Sequence, residues 1–117
     1  MTCFDWKGYI TLAKRLAKNI TDSSKRSSVS RAYYGVYCLS RNYAISQGLA
    51  NTRSSRMHRD VATFYNQRAE TRIIATYLGR LRDNRNKCDY DDSVSNLNNI
   101  VILSLQQADE IVKNLPT

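Results

Sequence analysis

Leu81-Arg82-Asp83-Asn84-Arg85-Asn86-Lys87-Cys88-Asp89-Tyr90 continues a run in which Ile74, Leu78 and Leu81 repeat at steps of four and three. That spacing puts the three side chains on one helical face. The same steps carried forward land on Arg85 and then Cys88, so a stripe suited to a core presents a guanidinium. Burying an unpaired arginine costs several kcal/mol, so the position calls for a partner or a wet cleft. Asp89 lies four residues on, within ion-pair reach if the helix continues that far. A helix that ends near Asn84 and leaves Arg85 solvated fits the spacing equally well. Either way Arg85 is expected near a helix end in a basic region that water reaches. Arg85→Ala is therefore expected to leave the fold nearly as stable.

Outward from this stretch the chain reads as helices. The helix that carries it is expected to start near Glu70. Downstream, Asp91-Asp92-Ser93 reads as a break followed by an N-cap. Val94, Leu97, Val101, Leu105, Ala108, Ile111, Val112 and Leu115 then recur at threes and fours. Upstream, Trp6, Tyr9, Ile10, Ala13, Leu16, Ala17 and Ile20 form one stripe of a first helix expected from Phe4 to Asn19, with Trp6 as a packing anchor. After the polar connection Thr21–Ser24, a second helix is expected to reach Gln47, with Val29, Ala32, Tyr33, Val36, Leu39 and Tyr43 in phase. Tyr34, Tyr37 and Arg41 make an adjoining stripe. It reads as an amphipathic flank, a lining for the Arg85 cleft, or a dimer face.

Gly48 suits a left-handed helix stop. Gln47–Ser55 reads as an exposed loop and a candidate nucleic-acid contact. A short helix is expected over Arg56–Asn66, with Met57, Val61 and Phe64 on one face and His58 on the next. His58 reads as a satisfied or solvated histidine, and its spacing does not say whether the fold carries it to Arg85. There is no strand signal, internal repeat, Gly-rich phosphate loop or Gly-x-Ser-x-Gly elbow. The periods together predict an all-α, antiparallel up-and-down bundle of four to five helices. Val101, Leu105 and Ala108 are expected to be buried with Val36 and Leu78.

With 117 residues, 42% of them hydrophobic, one Pro and four Gly, the chain suits one helical domain over 1–117. Pro116 interrupts no helix interior. No apolar run approaches the roughly 20 residues that span a bilayer. Asp5 and Lys7 break any secretory core, so a cytoplasmic location without membrane association is expected. Cys3, Cys38 and Cys88 are odd in number and widely spaced, which predicts reduced thiols and excludes paired-cysteine and zinc motifs. The net charge of +8 is uneven: residues 1–90 hold 17 Lys/Arg against 6 Asp/Glu, and residues 91–117 hold 1 against 4. Most of the cations are arginines, whose fork matches phosphate oxygens, which favours a phosphate-bearing partner over an acidic protein.

Arg85-Asn86-Lys87-Cys88-Asp89-Tyr90 resembles the Arg-Asn-x-Ala-Asp-Tyr signature of small prokaryotic HEPN-domain proteins. Ser27-Ser28-Val29-Ser30-Arg31-Ala32-Tyr33-Tyr34-Gly35-Val36-Tyr37 is similar to the Ser-Arg-Ala-Tyr-Tyr helix of the same family. The two stretches come in the family's order, and with their flanking helices the resemblance covers nearly the whole chain. It implies a compact helical bundle, commonly dimeric, and in many members a metal-independent ribonuclease of toxin–antitoxin or other conflict systems. The usual active motif is an Arg followed four to six residues later by His. Here no His follows Arg85. Asp89 stands about where it would be, Cys38 also sits where many relatives have His, and His58 is the only histidine.

The site implied is Arg85, Asn86, Asp89 and Tyr90, with Arg80, Arg82, Lys87, Arg31 and Tyr34 as RNA contacts. Arg85 suits stabilisation of a charged phosphorane-like state, and Asn86 and Tyr90 suit orienting the phosphate or locking the turn. Asp89 could take the 2′-hydroxyl proton, but a carboxylate is a weak base at neutral pH and pairing with Arg85 weakens it further. No metal or cofactor is expected. RNA, a second copy of the chain and a nucleotidyltransferase-type antitoxin are the expected partners. The competing readings are a non-catalytic module binding RNA or such a partner, and a structural dimer in which Arg85–Asp89 is a fold-specifying ion pair.

Overall fold

A computed structural model describes residues 3–116. Five helices follow one another: α1 (Lys7–Ala17), α2 (Asp22–Ser46), α3 (Met57–Asn66), α4 (Arg72–Tyr90) and α5 (Leu97–Asn114). A 3-10 turn, Ala69–Thr71, leads into α4, and no strand occurs among the described residues. The protein is an all-α helical bundle, as the periodicities predict. None of its described helices is long and apolar enough to cross a membrane.

Local chemistry sets the helix ends. Thr21 caps α2 by accepting the Ser24 amide at 3.3 Å on its hydroxyl. Gly48, at φ 106, turns the chain out of α2 in the left-handed region that glycine enters without strain. Two expectations are corrected. Phe4, Asp5 and Trp6 precede α1 instead of belonging to it. At the other end, the cap expected at Ser93 is replaced by Asn96 at φ 57, so α5 begins at Leu97 and Val94 lies in the connection. Asn tolerates that conformation better than most residues, and it stops the helical path from extending back to Ser93.

Long-range contacts give the directions. Ser28 of α2 donates to the Ala13 carbonyl of α1 at 2.6 Å, and Arg26 near the start of α2 reaches the Cys88 carbonyl near the end of α4 at 3.1 Å. The four long helices therefore alternate in sense. α3 instead runs with α2, since Tyr33 meets His58 and the Tyr65 hydroxyl donates to the Ser40 carbonyl at 2.7 Å. The loop between α2 and α3 carries the chain back to make this possible.

The main core unites Ile10, Ala13, Val36, Tyr65, Ile74, Leu78, Leu81, Ala108 and Ile111. A smaller cluster of Val29, Cys88 and Val101 fills the end where α4 finishes. Leu105 is half-buried and touches both clusters. Gly35 lets α1 pack close against α2: a Cβ there would stand 2.9 Å from Ile10 Cγ1 and 3.2 Å from the Trp6 carbonyl oxygen. Cys38 and Cys88 are buried free thiols, Cys3 is an exposed one, and burial pushes the thiols of Cys38 and Cys88 up.

Candidate functional site

α4 does not end near Asn84 but continues through Tyr90, which keeps Arg85 in phase with Leu78 and Leu81. Arg26 holds that last turn from across the bundle. Its Nη1 donates to the Cys88 carbonyl at 3.1 Å and the Asp91 carbonyl at 2.6 Å, and its Nη2 donates to the Asp92 carbonyl at 3.1 Å. A guanidinium suits the negative end of a helix dipole and satisfies carbonyls that have no partner within the helix. Nothing local in the sequence marks this role, because the carbonyls lie 62 to 66 residues from Arg26.

Arg85 is only 7% exposed, which overturns the expectation of a guanidinium in reach of water. The helix does not fray there, and the side chain points inward under α2. Its Nη1 donates to Asn86 Oδ1 at 2.7 Å and its Nη2 to the Tyr34 hydroxyl. Three rings surround it, those of Tyr34, Tyr33 and Tyr90, with centroids 4.9, 5.6 and 6.0 Å from Cζ. Asp89 Oδ2 lies 3.6 Å from Nε, near enough for charge attraction and too far for a hydrogen bond. Ser30 approaches the same carboxylate oxygen at 3.4 Å. The carboxylate stays partly in solvent while the guanidinium is buried, so the attraction is incomplete. Its other contacts are neutral, and the pocket keeps a positive character.

The fold also brings His58 to this place. Its Nδ1 shares a hydrogen bond with the Tyr33 hydroxyl, and its ring stacks on Tyr37 with centroids 4.1 Å apart and planes 8° apart. Tyr34, the partner of Arg85, lies edge-on to it at 6.3 Å. Burial, then the charges of Arg82 and Arg85, lower the His58 pKa to about 4, so the imidazole is neutral at pH 7. Burial pushes the Tyr33 hydroxyl well above its usual range, so it remains a donor. Arg82 closes the group from one helical turn earlier. Its Nε and that of Arg85 are both buried donors without a hydrogen-bond acceptor among the described residues.

Of the residues singled out by sequence, Arg85, Asn86, Asp89, Tyr90, Tyr34 and Arg82 thus come together. Arg80 and Lys87 do not, because at 3.6 residues per turn they stand roughly 140–160° around α4 from Arg85. Both are exposed, and Arg80 lies over Tyr77 at 5.7 Å, toward α5. Arg31 is on α2 but turns toward α1, where it covers the Tyr9 ring at 4.9 Å. His58 and Tyr33 are the residues that periodicity did not place in the site, whereas Tyr37, stacked on His58, takes the cleft-lining place that was one of three readings of its stripe. No group of three or more His, Cys, Asp or Glu side chains that could hold a metal ion gathers among the described residues. No protein-family model, curated protein or solved structure matches the chain.

Proposed function

We propose that the protein is a HEPN-like domain that binds an RNA phosphate in the Arg85 cleft and acts as a metal-independent endoribonuclease, as a toxin of a toxin–antitoxin or defence system would. The observation that carries this reading is the pair of buried Nε–H donors on Arg82 and Arg85, which have no hydrogen-bond acceptor among the described residues and whose charges act on a neutral imidazole. A buried donor left unpaired costs stability, and an anionic oxygen would satisfy it. Exposed Tyr90, which covers Arg85 from outside, offers a face on which a base can stack.

Cleavage in this cleft runs by attack of a 2′-oxygen on the adjacent phosphorus. The P–O5′ bond breaks, leaving a 2′,3′-cyclic phosphate and a 5′-hydroxyl. The Tyr33 hydroxyl takes the 2′-hydroxyl proton as it passes its own to His58 Nδ1, solvent supplies one to the departing oxygen, and Arg82 and Arg85 stabilise the charge that develops. A pKa of about 4 makes His58 a weak base in the free protein. A phosphate seated between the two arginines offsets the charges that depress it and raises its basicity on binding.

The low His58 pKa, with Asp89 beside Arg85, favours a second reading: a non-catalytic module that binds RNA or a nucleotidyltransferase-type partner. Incubating the purified protein with 5′-labelled single-stranded RNA and a chelator separates the two. The ribonuclease reading expects cyclic-phosphate products that His58→Gln and Arg85→Lys abolish. Binding without cleavage leaves the module, and neither binding nor cleavage refutes both RNA readings.

A further inference from the structure

Beside the Arg85 cleft lies a groove of about 440 Å³, walled by Tyr37, Arg41 and Asn42 of α2 and by Asn51, Arg53, Ser54 and Met57 of the returning loop and α3. Two arginines line it and no acidic residue does, so nothing in its wall neutralises their charge. Arg41 is held in place: it donates from Nε and Nη2 to Asn42 Oδ1 at 3.1 and 2.9 Å and lies over the Tyr37 and Trp6 rings at 6.0 and 5.8 Å. Arg53 has φ 53, a left-handed conformation uncommon for a residue with a side chain, and its amide donates to Asn51 Oδ1 at 3.3 Å. A glycine would meet this backbone requirement more easily.

Tyr37 joins the groove to the cleft, since its ring forms the wall of one and stacks on His58 in the other. On α2, Tyr34, Tyr37 and Arg41 fall at i, i+3 and i+7. The two ends of this stripe are therefore about 10.5 Å apart along the helix. A mononucleotide with one phosphate cannot reach both ends, and a stretched single strand can. Resting on the reading that the Arg85 cleft takes an RNA phosphate, we infer that the Arg41–Arg53 groove is a second phosphate subsite, so that the ligand is a single strand of several nucleotides. Rings interleaved with guanidiniums suit a strand of bases and phosphates better than an acidic peptide, which has no bases to stack.

The test measures equilibrium binding of a short single-stranded RNA and of a nucleoside monophosphate to the wild type, Arg41→Gln, Arg53→Gly and Arg85→Lys, over a range of salt. Arg53→Gly removes the charge while suiting the backbone, and thermal melts identify any variant that fails to fold. Arg41→Gln and Arg53→Gly are each expected to weaken oligonucleotide binding about tenfold, and to reduce the salt slope by about 0.7. Neither should change monophosphate binding, whereas Arg85→Lys should weaken both ligands. Oligonucleotide affinity unchanged in Arg53→Gly but reduced in Arg85→Lys overturns the second subsite and leaves the cleft standing. Failure of the wild type to bind the oligonucleotide at low salt overturns both. Equal competition by polyglutamate of matched charge reassigns the groove to an acidic protein partner and also overturns the inference.

Discussion

The two halves of α4 lie on one stripe and do opposite things. Ile74, Leu78 and Leu81 pack into the main hydrophobic core and are almost fully buried. One turn further on, Arg85 is buried to a similar degree but sits among hydroxyls, rings and an off-centre carboxylate, with a donor left over. Helical phase decides what is buried, and the surrounding helices decide what burial costs. Around Leu81 they offer carbon. Around Arg85, α2 and α3 offer Tyr33, Tyr34 and His58, which solvate a cation without neutralising it. A half-satisfied polar group inside a packed bundle is weak material for stability and suits a ligand site.

The largest contrast in stability is expected at Leu81. Leu81→Ala should cost about 2–5 kcal/mol in chemical denaturation, because a fully buried leucine leaves a cavity in the main core. Arg85→Ala should cost less, about 1–3 kcal/mol, since it removes two hydrogen bonds and an incomplete ion pair along with its own desolvation penalty. Should Arg85→Ala prove as costly as Leu81→Ala, the two halves are alike and Arg85–Asp89 is a fold-specifying pair. Arg26→Ala separates the halves further. It should cost about 1–2 kcal/mol and speed amide exchange in the last turn of α4, while protection near Ile74 stays close to wild type.

A smaller effect follows from pH. His58 has a pKa of about 4 in the folded chain against 6.5 for an unperturbed histidine, so the unfolded chain binds more protons between those values. Stability from this group is therefore complete above about pH 6.5 and falls as the pH drops toward 4. In melts across that window, His58→Gln should flatten the part of the slope that His58 causes. An unchanged slope in that variant means that the imidazole is not held neutral beside Arg82 and Arg85.

Much of this was legible from spacing. The threes and fours in Ile74–Cys88 and Val101–Leu115 predict helices, and they put Arg85 on a core stripe before any contact is known. The expectation that water reaches Arg85 failed, because its burial depends on α2 and α3. Tyr34 is 51 residues away from it in sequence, and the carbonyls that Arg26 caps lie 62 to 66 residues from Arg26. His58 was visible only as a lone histidine. Its part in the site comes from a loop that returns α3 alongside α2, and periodicity does not record such a return. The late start of α5 rests on one left-handed residue, Asn96, which an Asp-Asp-Ser cap signal three residues earlier obscured.

The claim that an RNA phosphate enters the Arg85 cleft is tested most directly by following the His58 imidazole by NMR while pH is varied, with and without a short single-stranded RNA. In the free protein the ring should titrate near pH 4. With RNA bound, the account predicts an upward shift, because the phosphate offsets Arg82 and Arg85, and Arg85→Lys should diminish that shift. RNA that binds the protein yet leaves the His58 resonances and their titration unchanged would place the ligand elsewhere and contradict the account.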